Sequence, residues 1–513
     1  MGRLFRIWVL AAFCVLISFT ACKGDWEEID PGVPASTVAV EGEEDEVTEL
    51  LKKAPGLVRI RREVRSQDVA VLPGVPVYYA YFNQLVDHND PSRGTFEQKV
   101  AIIMDYPYKA GENLLNILHT QGYYTPDKAD ELRPTRLRLG RINEVHVEYR
   151  YFGTSLPEPF DNLEFNYLSS EQYSADLHAI MSALKQTGLF PGKWISTGIS
   201  KNGIATALYA YYDELNGWND IDVYVPFCAP FLTSLDDTSL GDYIEQGAMA
   251  DMPELRQRIF DIGRLAAADT QAGAELRRQL FADYPEPDSE ETQLHEIMFT
   301  FMSNLFGRFS YYYIDTWMDL VPDPYAGNPD YEKLSFFMLA DDTEFAKAID
   351  AQKEKVATRT VFSDERREEL MKLREDIPIW PYYVQAVLEL GTYEFGYGFL
   401  EGCSVIDRQD MLRWAKDNTN TIVDYPEYVP RYNGKMMKDF LRNLNTTGKK
   451  MVFVYGANDP WTGAAIPDSA TDNPNIRKMI IPWGSHDDEI LSGRNWENKG
   501  REIVEAINAF LGR

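Results

Sequence analysis

The sequence predicts an α/β fold, in which a mostly parallel sheet carries helices on both faces. Short runs rich in β-branched and aromatic residues alternate with helical patterns as far as about residue 235. Strand patterns return only after about residue 435, and the chain between is acidic, aromatic and helical in pattern. With 44% hydrophobic residues in 513, the chain is large enough for a packed core and a substantial insertion. We therefore expect a catalytic domain that carries a helical cap.

The elements follow one another in a regular order. The first two strand patterns, separated by the turn-rich HNDPSRGT, are VPVYYAYFNQLV and FEQKVAIIMDYP. Two further strand patterns are NLLNILHTQGYY and INEVHVEYRYFG. Helix and strand then alternate in SSEQYSADLHAIMSALKQTG, KWISTGIS, KNGIATALYAYYDEL and IDVYVPFCAPF. The chain closes with the strands of KKMVFVYGANDPW and IRKMIIPWGSHDDEI and the helix of EIVEAINAFL.

The N-terminus has the pattern of an export signal. Residues 1–21 contain two arginines, an apolar run and small residues, and Cys22 follows at the expected cleavage point. This pattern is similar to a bacterial lipoprotein signal, in which Cys22 receives the lipid; the alternative is plain secretion with an incidental cysteine. Residues 22–70 are then expected to be a lipidated cysteine and an acidic linker. The predicted location is the cell envelope or outer surface, with a membrane contacted only through this anchor.

The remaining domain limits follow from the strand patterns and the charge. We expect the catalytic domain in residues 71–235 and 436–513 and the cap in residues 236–435. The formal net charge of −29 disfavours a nucleic-acid partner, because phosphate binding needs a basic surface. Outside the signal and Cys22, only two cysteines remain, Cys228 and Cys403, and whether they pair is left open. Since Cys and His are not clustered along the chain, we do not expect a structural zinc site, and the mechanism suggested by the residues described next needs neither a metal nor a cofactor.

Three polar residues each follow a predicted strand. Ser200 follows KWISTGI, Asp459 follows MVFVYGAN and His486 follows MIIPWGS. The carboxyl ends of parallel strands meet at one edge of a sheet, and the order Ser, Asp, His is that of α/β-hydrolases. A serine hydroxyl needs a base to accept its proton, and a carboxylate orients that base. The prediction becomes an α/β-hydrolase core with the cap between the sixth and seventh core strands, and these three residues as its catalytic triad.

Each of these residues also has a simpler interpretation. Ser200 in GISKNG can be a helix cap, since the second glycine is one place later than in the G-x-S-x-G elbow. The acids that compete with Asp459 are Asp468, Asp487 and Asp488. For the oxyanion we expect the backbone N–H of Lys201, directly after the nucleophile, and that of Tyr123 in the HTQGYY loop.

The chain resembles the secreted prolyl tri/tetrapeptidyl aminopeptidases, and more distantly the lysosomal Pro-X carboxypeptidase family. The matching stretches include YFNQLVDHNDPSRGTFEQKV, HTQGYY, VEYRYFGTSLPEP, STGISKNGIATALY, YYVQAVLELGTY, GANDPW and PWGSH. The resemblance implies a serine exopeptidase that releases tri- or tetrapeptides, with a preference for proline, from free N-termini. By position it assigns the triad to Ser200, Asp459 and His486. Asn202 departs from it, because the family pattern S-K-G-G has a glycine there.

An aminopeptidase must bind a free ammonium, which requires a carboxylate in the cleft. Glu389 in YYVQAVLELG is our candidate, with Gln385 four residues earlier on the same helical face; the alternative is an ion pair between cap and core. Two other functions stay open. One is an esterase or acyl hydrolase on the same fold, and the other is a non-catalytic surface protein that binds peptide or glycan.

Overall fold

Ten strands form one mixed sheet in the computed structural model, which describes residues 38–135, 137–158, 164–284, 290–353, 380–419, 424–486 and 496–513. The strands are β1 (Ala39–Glu41), β2 (Leu57–Val64), β3 (Pro76–Leu85), β4 (Thr95–Ile103), β5 (Leu115–Thr120), β6 (Ile142–Val147), β7 (Trp194–Ile199), β8 (Val223–Phe227), β9 (Met451–Gly456) and β10 (Ile476–Ile481). Their spatial order is β1-β2-β3-β4-β6-β5-β7-β8-β9-β10. Strands β6, β5 and β7 to β10 run parallel, and β3 and β4 are antiparallel to their neighbours.

Helices connect and cover the strands. They are α1 (Glu46–Leu51), α2 (Ser170–Lys185), α3 (Lys201–Asn216), α4 (Ser239–Gln246), α5 (Pro253–Ala266), α6 (Gln271–Asp283), α7 (Glu290–Tyr311), α8 (Ile314–Trp317), α9 (Tyr331–Leu339), α10 (Asp342–Lys353), α11 (Trp380–Gln385), α12 (Arg408–Asn418), α13 (Lys435–Asn443) and α14 (Arg501–Leu511). None of those in the described ranges combines the length and the apolar composition needed to cross a bilayer.

The two faces of the sheet bury different side chains, because successive residues of a strand point to opposite faces. On one face Tyr224 of β8 belongs to a cluster with Leu177 of α2 and Leu208 of α3. On the other face Val223 packs in a cluster with Ile503 of α14. This arrangement confirms the α/β-hydrolase core. Counted from β3, the helical cap enters between β8 and β9, which are the sixth and seventh core strands, as the sequence predicts.

The cap has a hydrophobic core of its own. Its largest wholly buried side chain is Trp317, which packs edge-on against Phe309 with ring centroids 5.4 Å apart. The cap meets the catalytic core where Phe306 of α7 contacts Trp461, directly after β9, with centroids 5.2 Å apart. The cap is therefore packed against the edge of the sheet at which the predicted triad lies.

The structure differs from the prediction that residues 22–70 are a linker. Strand β2 pairs antiparallel with β3, and Leu51 and Ile60 are buried in the core. Asp45 caps α1, and its carboxylate also accepts a hydrogen bond from Tyr78 Oη at 2.6 Å. The acidic residues of this segment make specific contacts at the edge of the sheet. The segment therefore has the composition of a linker although it is part of the folded core. Cys22 and the predicted signal lie outside the described residues.

Candidate active site

Ser200 occupies the turn between β7 and α3. Its φ of 59° and ψ of −125° place it in a conformation that side-chain-bearing residues rarely adopt. Its backbone N–H donates to Phe227 O at 2.9 Å, which ties the turn to the end of β8. A strained serine between strand and helix is the geometry of a nucleophile elbow. The residue is half-buried.

Gly203 explains the displaced glycine of GISKNG. A Cβ at this position would lie 2.6 Å from Phe227 O and 3.0 Å from Ala229 Cβ. Helix α3 therefore approaches β8 so closely that only glycine fits at its first turn. The glycine of a G-x-S-x-G motif is replaced here by Asn202, and the requirement for a small residue falls one position later.

Asp459 and His486 lie together behind this elbow. His486 Nδ1 is 2.9 Å from Asp459 Oδ2, and the two side chains are 9% and 0% exposed. The His486 backbone N–H donates to Ser310 O of α7 at 2.8 Å, so the cap holds the histidine loop. Asp468 is no competitor, because its side chain is 93% exposed and pairs with Lys478. Asp487 and Asp488 lie outside the described residues.

Cys228 connects the elbow to this pair. It follows Phe227 directly, and its Sγ lies within 4.8 Å of a carboxylate oxygen of Asp459 and a ring nitrogen of His486. Among the described residues, the Ser200 hydroxyl makes no hydrogen bond to His486, although both residues border Phe227–Cys228. Catalytic hydrogen bonds often tighten only when substrate binds. Cys228 and Cys403 do not form a disulfide bond, which answers the question that the sequence leaves open.

The loop that follows β5 is held by the two residues after Ser200. Gly122 N–H donates to Asn202 Oδ1 at 2.6 Å, and Lys201 Nζ donates to the carbonyl oxygen of Gly122. In a trans peptide the carbonyl and the next N–H point in opposite directions. Holding Gly122 O therefore also fixes the direction of the Tyr123 N–H, the predicted oxyanion donor. This role of Asn202 is not predictable from the sequence, since nothing in a single sequence pairs it with a glycine 80 positions earlier.

The Lys201 side chain is enclosed by aromatic rings. Its Nζ lies 4.3 Å from the ring centroids of both Tyr149 and Phe152. The rings of Tyr123 and Tyr382 complete the enclosure at 5.1 and 5.5 Å. Burial lowers the pKa of Lys201 well below its usual range. The lysine thus links the oxyanion loop to the cap through Tyr382, in addition to offering its backbone N–H next to Ser200.

Glu389 and Gln385 lie together where the cap meets α2. Glu389 Oε1 accepts hydrogen bonds from Ser170 N at 2.7 Å, from Ser170 Oγ at 2.7 Å and from Gln385 Nε2 at 2.8 Å. Burial raises the pKa of Glu389. No Lys or Arg nitrogen of the described residues lies within the 4.0 Å of an ion pair, and Gln385 Oε1 is buried without a hydrogen-bond partner. Glu389 is thus a half-buried carboxylate without an ion pair among the described residues, and Lys201 acts on it electrostatically over a longer distance.

Comparisons with known proteins point to serine peptidases. The family model for PS-10 peptidase S37 matches residues 67–272. The prolyl tri/tetrapeptidyl aminopeptidase of Streptomyces mobaraensis is 26% identical over 393 residues, which cover 74% of this chain and 69% of that protein. The serine protease vicPb of Bipolaris victoriae (strain FI3) is 22% identical over 510 residues, covering 89% of this chain and 91% of the relative.

Solved structures with a similar course of the chain are more distant. The proline iminopeptidase of Mycobacterium smegmatis matches with a TM-score of 0.36 and 13% identity, over 81% of this chain and 96% of that one. The rice cell wall degrading esterase LipA of Xanthomonas oryzae also matches with a TM-score of 0.36 and 13% identity, over 89% and 98% of the two chains.

Proposed function

We propose that this chain, a serine peptidase of the S37 family with an α/β-hydrolase core, releases short peptides from the free N-termini of its substrates. The family match and the two named relatives support the peptidase class. The elbow at Ser200 and the Asp459–His486 pair support acyl transfer as the chemistry. The further assignment to N-termini depends on Glu389.

In the proposed reaction Ser200 attacks the carbonyl carbon of the scissile bond. His486 takes the hydroxyl proton and then gives it to the leaving amine, while Asp459 holds the imidazole through Nδ1. The backbone N–H groups of Lys201 and Tyr123 stabilise the oxyanion. The acyl-enzyme that forms carries the released peptide, and water activated by His486 frees it.

The observation that carries the N-terminal assignment is the half-buried carboxylate of Glu389, which forms no ion pair with a Lys or Arg of the described residues and interacts with Lys201 only over a longer distance. Ionising a carboxylate that is partly removed from water and has no ion-pair partner is costly, and a substrate ammonium offers the missing charge. Gln385 Oε1 is buried without a hydrogen-bond partner, and the hydrogen bonds that the described residues make to Glu389 end on its Oε1 atom. Because Tyr382 of the same cap segment contacts the oxyanion loop, an ammonium bound here would lie near Ser200.

We further propose that three or four residues are released and that proline precedes the cleaved bond. This specificity is that named for the Streptomyces mobaraensis relative, and it is transferred from that protein.

The test compares p-nitroanilide peptides ending in proline with free and with acetylated N-termini. We expect wild type to prefer the free amine, and Glu389→Gln to raise KM for it about 10- to 100-fold, as a charge-assisted hydrogen bond of about 1.5–3 kcal/mol requires. Glu171→Gln is the matched control, because Glu171 is exposed beside Ser170. Equal rates on the two peptides would contradict the aminopeptidase assignment, and faster turnover of short acyl esters would favour an esterase.

We also propose that the chain is exported and lipidated at Cys22, which lies outside the described residues. The apolar run and the small residues before this cysteine support the proposal. Cys22→Ser should move the protein from the membrane fraction to the soluble fraction, and an unchanged distribution would contradict lipidation.

A further inference from the structure

A second cluster of polar side chains lies on the sheet face that α14 covers. Strands β5 and β6 are parallel neighbours whose register sets His119 opposite His146. The two imidazole rings stack with centroids 4.0 Å apart and planes at 3°. Glu144 precedes His146 by two residues and therefore points to the same face of the sheet. Two imidazoles and one carboxylate thus meet, although His119 lies 25 residues before Glu144 in the sequence.

The distances within this cluster are those of a metal site. His119 Nε2 lies 2.7 Å and His146 Nε2 lies 3.7 Å from Glu144 Oε2, and the three ligand atoms lie within 4.8 Å of one another. In a tetrahedral Zn²⁺ site with bonds of about 2.0–2.2 Å, neighbouring ligand atoms are about 3.3 Å apart. The two measured distances lie on either side of that value, so small side-chain movements suffice for ligation.

The Nε2 atom of His146 is in a position to bind a ligand. His146 is 3% exposed, and its Nε2 is buried without a hydrogen-bond partner. A buried polar atom of this kind is unfavourable, and such atoms usually face an ion or a water. His146 also lines a cavity of about 220 Å³ together with His119, Gln121, Thr135, Thr197 and Asn202. This cavity has room for a fourth, non-protein ligand such as water.

Outer partners already orient two of the ligands. The Gln121 side-chain amide lies 3.2 Å from His146 Nδ1, and Thr135 N–H donates to Glu144 Oε2 at 2.7 Å. Partners on the far nitrogen of a metal-binding histidine fix its tautomer and ring orientation. For Nε2 to bind a metal, Nδ1 must carry the proton, and a half-turn of the Gln121 amide presents its oxygen as the acceptor.

We propose that His119, Glu144 and His146 bind one Zn²⁺ ion, with water as the fourth ligand. Two imidazole nitrogens and a carboxylate oxygen form a donor set suited to Zn²⁺. The site backs onto the Ser200 elbow, because Gly198, Ile199 and Asn202 line the same cavity. It is separate from the triad and takes no part in the proposed acyl transfer. The proposal therefore does not depend on the peptidase assignment.

The test measures Zn²⁺ and Co²⁺ binding to the chelator-treated protein without a histidine tag. Because Cys228, Asp459 and His486 are a second set of possible ligands, every measurement is made in a Cys228→Ala background. We expect one metal per chain by calorimetry and the absorption of tetrahedral Co²⁺. His119→Ala and His146→Ala should each weaken binding at least about tenfold. His178→Ala is the control and should leave metal affinity unchanged, because His178 lies on α2 and pairs with Asp220.

Either of two results would overturn the proposal. The first is the absence of stoichiometric metal binding in the Cys228→Ala background. Any metal that the protein binds when Cys228 is present would then belong to the set of Cys228, Asp459 and His486. The second is equal affinity in the background protein and in both histidine variants. Since the background protein is itself measured, the proposal can fail even if His146→Ala does not fold.

Discussion

Asn202→Ala tests whether the oxyanion loop depends on the residue that departs from the family pattern. The substitution removes Asn202 Oδ1, which accepts the hydrogen bond of Gly122 N–H at 2.6 Å. Lys201 Nζ would still hold the carbonyl of the same residue. The loop would then be fixed from one side only, and the Tyr123 N–H would point less reliably at the oxyanion.

The size of the effect follows from the lost hydrogen bond. Leaving a partly buried N–H without a partner costs about 1–3 kcal/mol. Removing an oxyanion donor altogether costs about 2.7–4 kcal/mol in the transition state. Since each 1.36 kcal/mol is tenfold in rate, we expect kcat to fall about 10- to 100-fold. KM should change much less, because the oxyanion develops only in the transition state.

The assay is steady-state hydrolysis of a peptide p-nitroanilide, with the melting temperature measured alongside. Asn216→Ala is the matched control, since Asn216 lies at the exposed far end of α3 and bonds only within that helix. If Asn202→Ala keeps kcat within about twofold of wild type while its stability falls, Asn202 supports the fold and not the oxyanion loop.

Three other substitutions test the remaining assignments. Ser200→Ala should lower kcat by about 10⁶-fold while circular dichroism stays unchanged; measurable turnover well above this level would remove Ser200 from the nucleophile role. Lys201→Met should lower kcat about tenfold without lowering the melting temperature, because the variant loses the bond to Gly122 O but no longer buries an amine. Glu394→Gln tests stability against pH, since burial raises the pKa of Glu394 from 4.5 to about 7. The contribution of protonated Glu394 to the free energy of unfolding is fully present below pH 4.5 and is lost as pH rises through about 7. Between pH 5 and pH 8, the free energy of unfolding measured with urea should therefore fall by up to about 3 kcal/mol more in wild type than in the variant. Parallel pH profiles of the two proteins would contradict that pKa.

The strands that carry the site were predictable because their signals are local. Runs such as KWISTGIS and MVFVYGAN contain the alternation and the turn residues that define a strand and its end. Parallel strands then place their carboxyl ends at one edge, so the sequence could predict that Ser200, Asp459 and His486 lie on the same side of the sheet. The predicted linker failed over β1 and β2 because short edge strands need a partner that lies elsewhere in the chain, and their acidic surroundings gave no local sign of one.

By itself, the sequence determined the order of strands and helices, the inserted cap and the residue types at the strand ends. Only the tertiary structure decided which distant side chains meet. The register of β5 on β6 stacks His119 on His146, and the approach of α3 to the β5 loop joins Asn202 to Gly122. These contacts depend on strand register and helix packing, which are set by the whole core. Local periodicity reports which face of an element a residue occupies, but not which residue lies opposite.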